Sequence, residues 1–189
     1  MMRKAERTAW WEQLPKGIRD QIDGYVLQDV MHGAVRVVVD VGLGRDGIGV
    51  ATAHLIVRDR YDHYGDRAVA VASAPHSPLD LESLAYRAGG FCGRVVAIEA
   101  IWDGGTVNDW FVRLLAITAE PAREHVIAVV YSTTAQRYLG EDEDAGTRPP
   151  EAVAAERAGS ALAAHLSVPF QFASPDTPND QAPRWRPST

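Results

Sequence analysis

The sequence predicts an α+β fold, an N-terminal helical segment packed on a central antiparallel β-meander with a C-terminal helix and a short edge strand. Three observations predict it. Between residues 94 and 131, three runs rich in β-branched and aromatic residues are separated by Gly, Asp and Pro. Before them, apolar residues recur at helical spacing. After them, Pro149 and Pro150 open an Ala-rich run that continues to about Leu166. On this reading the chain divides into a helical segment over 1–66, an α+β domain over 77–172 and a polar, Pro-rich tail over 173–189.

In the helical segment Ile18, Ile22, Tyr25 and Val26 share one face of a helix that begins near Pro15 and Lys16. Residues Ala34 to Val39 are rich in β-branched side chains and would suit a strand, but helical patterns bracket them and a helix is predicted. Gly42, Gly44, Gly47 and Gly49 predict a flexible turn over 42–49. Val50, Ala53, Val57, Tyr61 and Tyr64 then mark one stripe of a helix that Gly65 ends. Residues 66–78 read as a connector. Ser77 is the expected N-cap of the next helix, with Pro78 in its first turn and Leu81, Leu84, Ala85 and Ala88 on its apolar face.

The predicted strands are Arg94–Trp102, Trp110–Ile117 and His125–Tyr131. Asp103-Gly104-Gly105-Thr106 makes the first turn, because Asp-Gly and Gly-Gly tolerate positive φ. Pro121 breaks the chain before the third strand. The runs are almost continuously apolar, which implies that both faces of the sheet are covered, one of them by the front helices. In the late helix Val153, Ala154, Ala158, Ala161 and Leu162 point inward. Val168 to Phe172 suits an edge strand, since Pro169 cannot donate to a central ladder. From Ser174 onward the tail is expected to be extended or mobile, with Trp185 as the one residue able to dock it.

Composition narrows the function. A chain of 189 residues with 46% hydrophobic and 23% charged side chains is ordinary for a globular protein. No apolar run approaches a membrane span, and the first residues lack a signal-peptide pattern, so a cytoplasmic protein is expected. The net charge of −6 and the dispersed cations speak against nucleic acid as a partner. Cys92 is the single cysteine, so neither an internal disulfide nor a Cys-based zinc site is available. No phosphate-binding loop or nucleophile elbow is present: the glycines of 42–49 fit neither GxxxxGK[ST] nor GxGxxG after a strand.

Three groups of residues carry candidate chemistry. Cys92 lies among glycines before a strand, and His54, His125 or His165 are the possible bases for a thiol nucleophile. A lone cysteine is more often a small apolar residue, and that is the reading preferred here. The six histidines form no metal-ligand pair, and no cofactor is expected. Glu99, Asp103 and Asp109 flank the first hairpin, as an acid pair or hard-cation site would require. The simpler expectation is that Asp103 belongs to the turn, Asp109 starts a strand and Glu99 faces solvent. The same hairpin carries Trp102 and Trp110, and the loop Glu141-Asp142-Glu143-Asp144 is strongly acidic. Aromatics beside an acidic loop suit a protein-binding face for a basic partner.

Two local resemblances go with these residues. An Ala/Val-rich helix, Gly42-Leu43-Gly44 and a helix beginning near Ile48 resemble the helical hairpin in the C-terminal domain of the bacterial ribosomal stalk protein. The likeness spans residues 32–57 and implies a mode of helix packing; no functional residue carries over. Residues 98–104, 110–112, 135–139 and 172–176 resemble stretches of a group of high-GC bacterial proteins from which no activity carries over. Small cytoplasmic proteins of this style include immunity proteins, which bind and block a toxin.

The expected function is therefore non-catalytic protein binding, immunity- or antitoxin-like, through Trp102, Asp103, Asp109, Trp110 and Glu141 to Asp144. The alternatives are a small hydrolase or nuclease that uses the hairpin acids or Cys92, and a structural subunit of a larger assembly whose meander forms an oligomer interface.

Overall fold

The computed structural model describes residues 2–65, 75–105, 108–140 and 147–186. It is α+β, with helices first, strands in the centre and a helix after them. The chain divides into two compact units, Met1–Pro78 and Leu79–Thr189.

The N-terminal unit consists of α1 (Lys4–Gln13), α2 (Lys16–Leu27), α3 (Met31–Asp46) and α4 (Val50–Tyr64). Ile18, Ile22 and Val26 of α2, spaced four apart, are fully buried, as an amphipathic stripe requires. The β-branched run 34–39 is helical, and Ala34, Val35, Val37, Val38 and Val41 are buried with it. Gly42-Leu43-Gly44 is the last turn of α3 and not the predicted loop. The chain leaves the helix only at Gly47, which takes the left-handed conformation at φ 65°. Gly42 has a packing role: a Cβ there would lie 3.0 Å from Ile48 and 3.1 Å from Trp10. Ile48 plugs the core between the helices. On α4 the stripe is Ala53, Ile56 and Val57, while Val50 is 59% exposed. Gly65 ends the helix at φ 53°.

Polar ties fix how these helices sit together. Arg7 forks onto Asp59 at 2.7 and 3.1 Å, and Arg60 onto Asp23 at 2.8 and 3.1 Å. The Tyr64 hydroxyl also donates to Asp23, the Tyr61 hydroxyl to Asp29, and the Trp10 indole N–H to Asp46. Arg60 lies 4.3 Å from the centre of the Trp11 ring. Paired carboxylates of this kind select one register among packings that aliphatic stripes alone would leave nearly equivalent.

The C-terminal unit contains α5 (Leu81–Ala88), β1 (Arg94–Gly105), β2 (Asn108–Ala119), β3 (Arg123–Val130), α6 (Ser132–Leu139), α7 (Pro150–Leu166) and β4 (Phe170–Phe172). The cap of α5 is Asp80, whose carboxylate accepts the Ser83 N–H at 2.9 Å, and not Ser77. Leu79 and Leu84, on either side of that cap, are buried in the same core, the arrangement of a hydrophobic staple. The apolar anchor places the helix start three residues later than the Ser-Pro signal suggests.

The sheet order is β3-β2-β1-β4. The meander β1-β2-β3 is antiparallel, but β4 runs parallel to β1 through Ile98↔Phe170 and Ala100↔Phe172, so the sheet is mostly and not wholly antiparallel. One face carries Ile98, Ala100, Trp102, Val112, Leu114, Ala116, Ala128 and Val130 into the core. The helical layer of that core is Ala152, Ala154, Ala155, Ala158, Leu162 and Ala163 of α7. Ala161, expected inward, is exposed; in a run this rich in Ala the apolar period does not single out one face. The small side chains let α7 approach closely, most of all at Gly159, where a Cβ would lie 2.4 Å from the Phe170 ring and 3.1 Å from Leu114.

Gly159→Ala adds about 1 kcal/mol of helix propensity but forces overpacking that costs about 1–3 kcal/mol. The expected outcome is a net loss of stability in urea denaturation, whereas Ala161→Gly on the exposed side should cost no more than about 1 kcal/mol.

Candidate functional site

Strand alternation places Glu99, Ile101 and Asp103 of β1 on the face opposite Ile98, Ala100 and Trp102. On β2 the same face carries Phe111, Arg113 and Leu115, with Glu99 directly across from Leu115 and Asp103 across from Phe111. Alternation alone would leave Glu99 in water. It is 1% exposed, because the C-terminal segment lies over it.

The Glu99 carboxylate accepts Arg184 Nε at 3.1 and 3.2 Å, Arg184 Nη2 at 2.9 Å and the Trp185 backbone N–H at 2.6 Å. Arg184 Nη2 also lies 2.9 Å from Glu124 on β3, so the guanidinium spans the sheet from β1 to β3. Hydrogen bonding to Glu99 raises the Arg184 pKa further above its ordinary range, with Glu124 adding to the effect. The segment is fastened three more times and braced once within itself. The Trp102 indole N–H donates to the Ser174 carbonyl at 2.7 Å, Arg148 pairs with Asp176 at 2.8 Å, the Gln171 amide donates to the Pro183 carbonyl at 3.0 Å, and the Ser174 hydroxyl donates to the Thr177 carbonyl at 2.6 Å. The tail is docked at Ser174, Asp176 and Pro183 to Trp185, with Trp185, the expected docking residue, held through its backbone N–H and Arg184 beside it. The space left between it and the edge of the sheet is about 30 Å³, room for roughly one water.

The hairpin residues fall into different environments. Trp102 is 3% exposed and belongs to the core, where it meets Trp110 edge-on at 6.4 Å and Phe172 at 6.1 Å. Trp110 is partly buried against the same core. Asp103 pairs with Arg113 at 3.0 Å, both near 40% exposed, and accepts the Gly104 N–H. Asp109 is exposed at the start of β2. Glu141, Asp142, Glu143 and Asp144 lie outside the described residues.

The acids are not brought together for chemistry. Glu99 and Asp103 are four residues apart on one strand, about 13 Å at strand rise, and each holds its own arginine. The Cys92 thiol is exposed. The His125 ring stacks on Phe91 with centroids 4.0 Å apart and lies 3.4 Å from the Thr118 hydroxyl. Burial, with the Arg123 charge behind it, lowers the His125 pKa below its ordinary 6.5. Among the described residues no group of three or more His, Cys, Asp or Glu is placed to hold a metal ion, and no helix is long and apolar enough to cross a membrane.

The N-terminal unit has a surface groove of about 520 Å³ between α3 and α4, with walls of Met31, Val35, Val39 and Val50 and with His32 and His54 among its polar residues. A second, of about 310 Å³, is lined by Arg7, Trp11, Asp59, Arg60 and His63.

No protein-family model matches the chain, and comparison with curated proteins and with solved structures returns no match. The two local resemblances drawn from the sequence gain no support there.

Of the groups around Glu99, Trp185 was singled out from the sequence as a docking residue, whereas Arg184 and Glu124 were missed by reading residues alone. One signal was available: a Glu in the middle of the apolar run Val95-Val96-Ala97-Ile98-Glu99-Ala100-Ile101-Trp102 demands a cation once both faces are covered. The arginine at 184 in the polar tail is the matching half.

Two outcomes follow. Arg184→Ala leaves a buried carboxylate unpaired and should cost the C-terminal unit about 2–3 kcal/mol, a value lowered by the arginine's partial exposure. Adding Glu99→Gln should recover part of that loss, a coupling of at least about 1 kcal/mol in a double-mutant cycle of urea midpoints. For His125 the folded pKa is depressed, so the unfolded chain takes up the proton first as pH falls. Its contribution is complete above about pH 6.5 and declines below it. Urea stability at pH 5.5 relative to pH 7.5 should therefore fall more in the wild type than in His125→Phe, which keeps the stack on Phe91.

Proposed function

We propose that this chain is a non-catalytic protein-binding protein, of the kind that covers and blocks a partner as immunity proteins and antitoxins do. The observation that carries the reading is the sheet face turned away from α7. On β2 and at the end of β3, Phe111 and Tyr131 form a tilted ring pair with centroids 5.0 Å apart. Tyr131 is 49% exposed and Val126 is 46% exposed, with the Arg113–Asp103 ion pair beside them. Rigid aromatic and aliphatic groups standing on a sheet, ringed by charges, are the composition of a protein-binding surface. They cost little entropy to immobilise because the strands already fix them.

The same geometry weighs against the hydrolase or nuclease reading. With Glu99 held by Arg184 and the Trp185 N–H, and Asp103 by Arg113, neither carboxylate is free to act as a base in this arrangement. The acidic loop Glu141 to Asp144 and the net charge of −6 favour a basic partner, whose approach they would accelerate.

The test uses the purified full chain as bait in a lysate of its native host, beside Tyr131→Ala, Val126→Asp and a charge reversal of Glu141 to Asp144. A protein retained by the wild type and lost with Tyr131→Ala or Val126→Asp, at unchanged thermal stability, supports the face. Truncating a central aromatic should weaken binding by at least about tenfold. A retained set indifferent to all three changes overturns the reading.

A further inference from the structure

The C-terminal segment is held at three consecutive residues, two by their main chain and Arg184 by its side chain. The Pro183 carbonyl is met by the Gln171 amide of β4 at 3.0 Å. The Arg184 guanidinium forks onto Glu99 of β1 and reaches Glu124 of β3. The Trp185 N–H donates to the same Glu99 at 2.6 Å. Main-chain hydrogen bonds on either side of one seated charged side chain are how a groove recognises an extended peptide. The planar fork selects arginine, since a lysine ammonium offers no parallel pair of N–H groups to a carboxylate.

The receptor is preorganised and demanding. Glu99 sits on the central part of β1 at 1% exposure, and among the described residues its hydrogen bonds all come from Arg184 and Trp185. Were the segment to leave, a carboxylate fixed by the sheet would lose its cation, and an arginine from any chain able to reach it would be favoured. Between Ser174, whose carbonyl accepts the Trp102 indole N–H, and Pro183 the tether has one ion pair among the described residues, Arg148–Asp176, and Asp176 is 74% exposed. Exposed pairs contribute little.

We propose that the Glu99 cradle is a recognition site for an extended peptide with a central arginine, its side chain seated on Glu99 and its neighbours held by their main chain, filled in cis by residues 183–185 and open to such a peptide supplied by another chain. The site takes such a peptide when the cis segment is displaced, so the tail acts as a built-in competitor. The inference stands on the cradle alone and does not need the exposed face of β2 and β3 to bind anything.

The test uses the full-length chain carrying Arg184→Ala and a labelled synthetic peptide of residues 179–189, followed by fluorescence anisotropy. The variant should bind the peptide at least about tenfold more tightly than the wild type, whose own arginine competes. Adding Glu99→Gln to the variant should lose that gain, and a peptide with Arg184→Lys should bind about tenfold more weakly. The proposal is overturned if Arg184→Ala melts cooperatively yet binds no better than the wild type, or if binding ignores Glu99. Should Arg184→Ala not fold, Arg184→Lys takes its place. If neither folds, the cradle is part of the fold and the proposal falls. A positive peptide result with no captured partner would sink the binding reading of the sheet face and leave the cradle standing.

Discussion

A carboxylate enclosed in the middle of an apolar strand has to be answered by a cation, and in this chain the answer comes from a residue 85 positions away. The Glu99–Arg184 pair organises much of the C-terminal unit. It brings a Pro-, Asp- and Ser-rich segment with almost no apolar side chains onto the sheet, where composition alone would leave it in water. That segment then supplies the acceptor for the buried Trp102 indole N–H at Ser174. The Trp102 indole is thus held by Ser174, just after β4, and the end of the tail by the Glu99 charge. Pairs of this kind add little net stability compared with apolar replacements, but breaking one side of them is costly.

The N-terminal unit uses the same device more openly. Its aliphatic stripes on α2 and α3 supply the burial, and the Asp23–Arg60 and Asp59–Arg7 pairs tie α2 and α1 to α4. Glycine does the remaining work through absence of bulk. Gly42 lets Trp10 and Ile48 close on α3, just as Gly159 lets Phe170 close on α7. Asp23, Asp59, Glu99 and Asp103 are each held by an arginine, and Asp29 and Asp46 by a hydroxyl and an indole donor.

Several elements were legible from local pattern. The Ile18-Ile22-Val26 stripe, the three meander strands, the helix opened by Pro149-Pro150, the edge position of the strand after Pro169 and the stop at Gly65 all follow from rules that act within a few residues. Other elements were shifted or unseen for reasons of the same kind. Gly42-Leu43-Gly44 carries a turn signal, yet the helix continues through it because packing against Trp10 and Ile48 needs a small residue there. Ser77-Pro78 carries a cap signal, yet the buried Leu79 makes Asp80 the cap. The short helices α1 and α6 have too little periodicity to stand out before their neighbours are in place.

The sequence by itself determined the class of fold, the apolar stripes and the order of most elements, because propensity and periodicity are local properties of the chain. Only the tertiary structure decided that Glu99 is buried, that Arg184 and Trp185 meet it, that β4 lies parallel to β1, and that Trp102 is core while Tyr131 is surface. Each of those depends on which distant segment arrives at a given face. A solvent-facing Glu and one sealed beneath an arginine are written with the same letter in the same alternating pattern.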